Sequence, residues 1–258
     1  MKKLAGVLFG LAALLAPVPG IQSLASAQAP AGMIAYDYCQ MYDWDQGIVC
    51  SVYLENGAYV GAGTDPSWSP DGSRLAFAGY DQPGIFVLNL ADWSVTHLPV
   101  IGGSPAWSPD GQKLAFAADE LYVMGADGSN VVRLTQGVGF FGQPAWSQNG
   151  RSIAFDCQID AGDQDICAIQ VDGTGLVRLT SDPAWDSGPA FSPDGSKIAF
   201  ARSTFFENTR IAVMNADGTG LTQMGPDGFQ PAWSPDGTRI AFVVPFWGRL
   251  RGGRSYLC

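Results

Sequence analysis

The chain has 258 residues, of which 47% are hydrophobic and 15% are charged. This length fits one large domain or two small ones, with enough apolar material for a sizeable core. The 33 glycines and 17 prolines are too many for a helical protein and suit a fold with many turns. The formal net charge of −10 argues against nucleic acid and anionic lipid as partners, because an acidic surface repels both.

The N-terminal region has the three parts of a secretory signal peptide. Lys2 and Lys3 give a basic start, residues 4–18 are apolar and uncharged, and residues 25–27 (ASA) form a cleavage motif. We expect cleavage after Ala27, which removes residues 1–27 and leaves a short linker at 28–32. An uncleaved anchor is the alternative, but the apolar run is shorter than the roughly 20 residues that span a bilayer. No membrane span is therefore expected after cleavage.

The chain then repeats one pentapeptide, which we call the anchor. WSPDG occurs at residues 68–72, 107–111 and 233–237, FSPDG occurs at 191–195, and a degenerate WSQNG occurs at 146–150. The anchors step by 39, 39, 45 and 42 residues, a period typical of propeller blades. The anchor residues that we predict to have a structural role are Trp68, Asp71, Gly72, Trp107, Asp110, Gly111, Trp146, Gly150, Phe191, Asp194, Gly195, Trp233, Asp236 and Gly237.

Each anchor is followed by the same sequence pattern. An apolar triplet such as residues 114–116 (LAF) comes first, then a second apolar run such as 121–124 (LYVM), an Asp-Gly turn, and a stretch that ends in Arg-Leu-Thr at 133–135 or 178–180. Proline and glycine fit the corners of a tight turn, and the apolar runs fit short strands. Each unit thus predicts a four-stranded blade of about 40 residues. The anchor aromatics are expected in the core between blades.

The two ends of the repeat region leave the number of blades open. Residues 33–64 contain the triplet at 34–36 but no anchor, whereas the C-terminal part supplies both the Trp233 anchor and a second triplet at 240–242. Either six units exist, with the first and last incomplete, or five blades close and one strand is left over. We favour six units within a propeller at 33–244. Residues 245–258 are expected to be a degraded strand or a disordered tail.

The repeat resembles the β-propeller repeat of the TolB family, a relative of WD-type repeats. The resemblance is carried by PAWSPDG at 105–111 and 231–237 and by VMNADGT at 213–219, and it extends over about residues 33–244. It implies an all-β propeller and no particular function. The best-known family member has an α/β domain ahead of its propeller, and similar propellers precede the hydrolase domain of prolyl-oligopeptidase-type peptidases. We expect neither domain in this chain.

Four of the five cysteines fall into two similar pairs. Cys39 and Cys157 each follow an apolar triplet, and Cys50 and Cys167 lie 11 and 10 residues later, in the next predicted strand. Because an exported protein meets an oxidising compartment, we predict one disulfide within each hairpin. Buried free thiols are the alternative. Cys258 remains unpaired or bonds to another molecule.

The search for catalytic groups finds no established motif. His97 is the sole histidine, so a Ser-His-Asp triad would have to use it, but its repeat position at 95–98 predicts an outer surface strand. A multi-histidine metal site has too few histidines. No nucleophile elbow, phosphate loop or dinucleotide motif is present. A carboxylate pair for glycoside chemistry stays open, because 24 acidic residues are available. We therefore predict no catalytic residues, no cofactor and no enzymatic activity.

Two acidic loops, at 43–47 and 160–165, are bracketed by the predicted disulfides. Asp160, Asp163 and Asp165 are weak candidates for Ca²⁺, which prefers oxygen ligands, although solvated loops explain them as well. Aromatic residues outside the strand pattern are candidates for partner contacts, namely Tyr42, Trp44, Phe140, Phe141, Phe205 and Phe206.

These observations favour an exported binding scaffold, in the cell envelope or outside the cell, whose partner is a protein or another macromolecule. Two alternatives are a propeller enzyme, or hydrolase accessory, that acts on glycan or peptide, and a truncated copy without independent function.

Overall fold

A computed structural model describes residues 35–41, 48–137, 139–159, 163–204 and 209–244. The predicted signal peptide, linker and tail lie outside these ranges. Regular structure in the described ranges consists of strands alone, and no helix there is long and apolar enough to cross a membrane. The strands are β1 (Ala35–Met41), β2 (Ile48–Leu54), β3 (Tyr59–Trp68), β4 (Arg74–Gly79), β5 (Ile85–Asn89), β6 (Val95–Leu98), β7 (Gly103–Trp107), β8 (Lys113–Ala117), β9 (Leu121–Gly125), β10 (Val132–Arg133), β11 (Phe140–Trp146), β12 (Ser152–Gln158), β13 (Asp165–Gln170), β14 (Val177–Arg178), β15 (Trp185–Phe191), β16 (Lys197–Ser203), β17 (Thr209–Asn215), β18 (Thr222–Asp227), β19 (Phe229–Trp233) and β20 (Ile240–Val243).

The strands form six antiparallel units, which we call blades I to VI. Blades II to V have four strands each and consist of the second half of β3 with β4–β6, of β7–β10, of β11–β14 and of β15–β18. Blade I has β1, β2 and the first half of β3, while blade VI has β19 and β20. Strand β3 joins blades I and II, because Ala62 pairs with β2 and Gly63 pairs with β4. The predicted all-β propeller, with incomplete first and last units within the described residues, is confirmed.

The anchor pentapeptide forms a self-contained turn between the first two strands of blades II to VI. In blade II, the Ser69 hydroxyl donates to Asp71 Oδ1 at 2.6 Å and accepts the Arg74 backbone N–H at 2.9 Å. Gly72 takes the left-handed region with φ 66°, which side chains resist. The Ser69 hydroxyl bond is the main reason that the pKa of Asp71 falls to about 2. The turn is therefore fixed by local hydrogen bonds that the short motif itself supplies.

The anchor tryptophans connect neighbouring blades. The indole Nε1 of Trp107 donates to the Ser67 carbonyl at 3.1 Å, that of Trp146 to Ala106 at 3.0 Å, and that of Trp233 to Ala190 at 3.0 Å. Each acceptor immediately precedes the anchor aromatic of the previous blade. The Nε1 atom of Trp68 is buried without a hydrogen-bond partner. Three blade interfaces thus share one hydrogen bond that the blade I–II interface lacks.

The Arg-Leu-Thr ending closes blades III and IV through a buried acid. Thr135 Oγ1 accepts the Leu121 backbone N–H at 3.0 Å and donates to the carboxylate of Glu120 at 2.5 Å. In blade IV, Thr180 Oγ1 accepts the Ile166 N–H at 3.0 Å and donates to Asp165 Oδ1 at 3.2 Å. The threonine therefore ties the last segment of the blade to its third strand.

The disulfide predicted within blade IV is confirmed. Cys157 and Cys167 are bonded across β12 and β13, with their Cα atoms 5.8 Å apart. In blade I, Cys50 is disulfide-bonded and its register partner on β1 is Cys39. The Cys39 side chain lies outside the described set, so the second pairing stays a prediction. Cys258 also lies outside it.

Candidate functional site

A ring of five equivalent residues lines the central channel of the propeller. We call the first strand of each of blades II to VI its inner strand. In every inner strand a buried proline stands two residues before the anchor aromatic, and the residue just before that proline faces the channel. The channel-facing positions, which we call the ring, are Asp65, Ser104, Gln143, Gly188 and Gln230. The consecutive inner strands β3, β7, β11, β15 and β19 lie side by side, and this arrangement brings the ring residues together.

The ring residues share an unusual backbone conformation. All five have positive φ, between 43° for Gln143 and 63° for Gly188. At each one the pairing of the inner strand with its neighbour is interrupted by a bulge. Six non-glycine residues with positive φ occur in the described ranges, and four of them are ring residues. Such conformations cost free energy and cluster at functional sites.

The ring residues line a narrow polar space. The cavity has a volume of about 80 Å³, room for roughly two or three waters. Its side chains supply a carboxylate, a hydroxyl and two amides, and the Gln230 Oε1 atom is buried without a partner. The space is therefore small and lined by polar groups.

Asp65 is the charged member of the ring. Its Oδ2 atom accepts the Ser104 hydroxyl at 3.1 Å and the Thr64 hydroxyl at 3.3 Å. Burial raises the pKa of Asp65, and these hydrogen bonds oppose the rise. The Asp65–Ser104 contact also joins blade II to blade III at the channel wall.

Gly188 is held in the ring by a carboxylate behind it. The Gly188 backbone N–H donates to Asp156 Oδ1 at 2.8 Å, and Gln164 Nε2 donates to Asp156 Oδ2 at 3.1 Å. Asp156 is 1% exposed, and burial raises its pKa well above the usual range. A Cβ atom at Gly188 would lie 2.9 Å from Gln143 Oε1, so a side chain there would displace its ring neighbour.

A second buried carboxylate, Asp186, lies two residues before Gly188. Its Oδ2 atom is 3.3 Å from Arg202 Nη1, and Arg202 also pairs with Asp182. The Asp186 Oδ1 atom is buried without a hydrogen-bond partner. Burial is the largest cause that raises the pKa of Asp186 to about 7. The two carboxylates place titratable groups directly behind one side of the ring.

The weak calcium candidates are engaged in other contacts. Asp163 Oδ1 accepts the Trp185 indole N–H at 2.9 Å, and Asp165 Oδ2 is 2.5 Å from Arg178 Nη2. Asp160 lies outside the described residues. Within the described ranges, no group of three His, Cys, Asp or Glu residues has a metal-binding arrangement. The calcium prediction therefore gains no support from geometry.

The prediction of a surface contact is wrong for Phe141. This residue lies within β11, is 4% exposed and packs on Phe155 with ring centroids 6.0 Å apart. Phe140 belongs to the same strand, and its side chain lies outside the described set. Tyr42, Trp44, Phe205 and Phe206 also lie outside the described residues, so their roles stay predictions. His97 is on β6, where its ring stacks on Phe86 with centroids 4.5 Å apart.

Sequence reasoning missed the ring, although the sequence contains a signal for it. A proline stands two residues before every anchor aromatic, at Pro66, Pro105, Pro144, Pro189 and Pro231. The residue before each proline varies among Asp, Ser, Gln and Gly. At a variable position inside an otherwise constant motif, the fold does not determine which side chain is present.

These features define a β-propeller with a narrow polar channel. The family description of the TolB beta propeller domain matches residues 44–224 and 139–248, well over half of the sequence. The chain therefore belongs to the TolB beta propeller domain family.

Solved structures with the same fold include TolB proteins and an enzyme. TolB from Acinetobacter baumannii is 21% identical with a TM-score of 0.67, and the alignment covers 78% of this chain and 55% of that one. A TolB candidate from Agrobacterium tumefaciens is 22% identical with a TM-score of 0.70, covering 88% of this chain and 91% of that one. Oligogalacturonate lyase from Vibrio parahaemolyticus is 14% identical with a TM-score of 0.58, covering 90% and 69%.

This chain spans about half the length of the Acinetobacter TolB. At these identities the likeness establishes the fold alone. No curated protein matches the sequence.

Proposed function

We propose that the protein is an exported propeller scaffold that binds a protein partner at the mouth of its central channel. The observation that carries this proposal is the ring. Its backbone is the same in five blades, including four non-glycine residues held at positive φ, while the five positions carry four different residue types. When equivalent positions share one backbone conformation but carry different side chains, the backbone holds those side chains rigidly and the side chains can determine which partner binds.

The size of the ring limits how a partner could bind. A space of about 80 Å³ admits a single inserted side chain, so most of the contact would lie on the surrounding channel mouth. The chain carries a formal net charge of −10, which favours a partner with a basic surface. A TolB-like propeller suggests a protein-binding scaffold in general.

Export is supported by two independent features. The sequence begins with a signal-peptide pattern, and blade IV contains the Cys157–Cys167 disulfide. Disulfides persist in oxidising compartments such as the periplasm or the extracellular space.

An affinity purification from envelope extract, with the chain from residue 28 as bait, tests the scaffold proposal. We expect one protein to co-purify in a constant molar ratio. Enzymatic turnover on a panel of glycans and peptides, abolished by replacement of one acidic residue, would instead establish the enzyme alternative and overturn the proposal.

A further inference from the structure

A second cavity, separate from the ring, lies beside the first three strands of blade V. Its volume is about 370 Å³, at the low end of ligand pockets, which span about 300–1,000 Å³. The residues that matter for its chemistry are Asp163, Trp185, Ser187, Ser203, Thr204 and Thr209. The cavity thus combines one large aromatic side chain, four hydroxyl groups and one carboxylate.

The strand register places the central part of this cavity on one face of the sheet. Trp185 on β15 pairs directly with Ser203 on β16, and Ser203 pairs with Thr209 on β17. Directly opposed residues of antiparallel strands point to the same face, so these three side chains form a row across the blade. Ser187, two residues beyond Trp185, lies on the same face. The side chains of this row therefore project from paired strands.

Trp185 presents an exposed aromatic surface at the cavity wall. It is 43% exposed, although tryptophan is highly buried on average. Its indole Nε1 donates to Asp163 Oδ1 at 2.9 Å, and this bond fixes the orientation of the ring. An exposed, oriented tryptophan is a common anchor for ligands.

The Ser203 hydroxyl is the second unusual group. Its Oγ atom is buried and has no hydrogen-bond partner. Buried polar side chains nearly always have one, so an unpaired hydroxyl in a cavity wall requires an explanation. Because this atom has almost no accessible surface, it closes the cavity wall, and the hydroxyls left to contact a ligand are those of Ser187, Thr204 and Thr209.

We propose that this cavity binds a neutral saccharide of one or two rings. A sugar ring has an apolar C–H face that can pack on the Trp185 indole, and its hydroxyls can both donate to and accept from serine and threonine. The Asp163 carboxylate disfavours anionic sugars such as uronates. An ammonium ligand over the indole is the competing class. The three hydroxyls left to contact a ligand, and the use of Asp163 Oδ1 by the indole, favour the saccharide.

Isothermal titration of the full chain with maltose, cellobiose and N,N′-diacetylchitobiose tests this proposal. We expect saturable binding of at least one disaccharide. Trp185→Ala should weaken it about tenfold, the loss expected for one aromatic contact. Asp163→Asn should leave it nearly unchanged, because the amide oxygen still accepts the indole N–H. Trp93→Ala is the matched control, since Trp93 is 50% exposed and lies in the β5–β6 turn, outside the cavity lining.

Three results would overturn the proposal. These are the absence of binding for all three disaccharides, an equal loss in the Trp185→Ala and Trp93→Ala variants, and saturable binding of choline or lysine that Asp163→Asn abolishes. None of them bears on the ring, so the scaffold proposal is tested separately.

Discussion

The hydrogen bond between anchor tryptophans and the preceding blade allows a paired substitution. Trp146 donates to the Ala106 carbonyl at 3.0 Å, whereas the Trp68 Nε1 atom is buried without a partner. Trp146→Phe and Trp68→Phe remove the same atoms from side chains that are 9% and 1% exposed. The difference between the two variants therefore isolates the hydrogen bond between blades.

The expected magnitudes follow from these two environments. Loss of the larger ring costs about 1 kcal/mol of unfolding free energy in both variants by apolar area. Trp146→Phe also leaves the Ala106 carbonyl without its indole donor, which adds about 1–3 kcal/mol. Trp68→Phe removes a buried N–H group that has no hydrogen-bond partner, and this gain offsets part of the unfolding free energy lost with the larger ring. We expect Trp146→Phe to be the more destabilising by about 1–3 kcal/mol.

Equilibrium urea unfolding, followed by circular dichroism, measures both values. The denaturant dependence should be the same in the two variants, which shows that the change lies in stability. Trp107→Phe, which removes the equivalent bond to Ser67, should behave like Trp146→Phe. If Trp68→Phe costs as much as the other two, the bond between blades contributes nothing and the reasoning fails.

Three further predictions concern the buried acid, the disulfides and the ring glycine. Because burial raises the pKa of Asp186 to about 7, the folded state keeps a proton that the unfolded chain loses near pH 4. Stability should therefore fall by about 1–3 kcal/mol between about pH 4 and 7. Urea midpoints across this range should show the fall, and the fall should be smaller in Asp186→Asn, with the remainder due to Asp156 and Asp65, whose pKa values burial also raises; an unchanged slope contradicts it. The Cys157→Ser, Cys167→Ser double variant should lose about 2–3 kcal/mol, and thiol titration of the unfolded, unreduced protein should count one free thiol, with a count of five refuting both bridges. Gly188→Ala, at φ +63°, should lower the unfolding free energy by about 1 kcal/mol or more, while Gly137→Ala, whose Cβ meets nothing within 4 Å, should not; equal effects would exclude a special role for the ring backbone.

The sequence predicted those parts of the fold that local residues determine. The turn around Asp71 needs only its own serine, aspartate and glycine, so the motif identifies it without knowledge of the rest of the chain. The period of the anchors predicted units of about 40 residues, and the two ends of the repeat region favoured six units, with the first and last incomplete, over five. The disulfide between Cys157 and Cys167 was predicted because Cys39 and Cys50 occupy the equivalent positions in another unit and because an exported protein meets an oxidising compartment.

The parts that depend on packing between strands were not predicted. The ring arises because a bulge in each inner strand turns one residue toward the axis, and neither the bulge nor the axis is encoded in a short motif. Asp156 and Asp186 look like ordinary polar strand residues until neighbouring strands bury them. Phe141 was misassigned because β11 extends beyond its bulge and pairs with β12, and this pairing buries the side chain against Phe155.

Partner binding at the ring is tested most directly by a comparison of two double variants. The double variant Gln143→Lys, Gln230→Lys places two positive charges in the ring, while Gln112→Lys, Gln148→Lys makes the same change at two exposed turn positions. Both would be used as bait for the co-purifying partner, with quantification of the molar ratio. We predict that the ring variant loses the partner and the turn variant retains it at the wild-type ratio. Equal retention by both would contradict the claim.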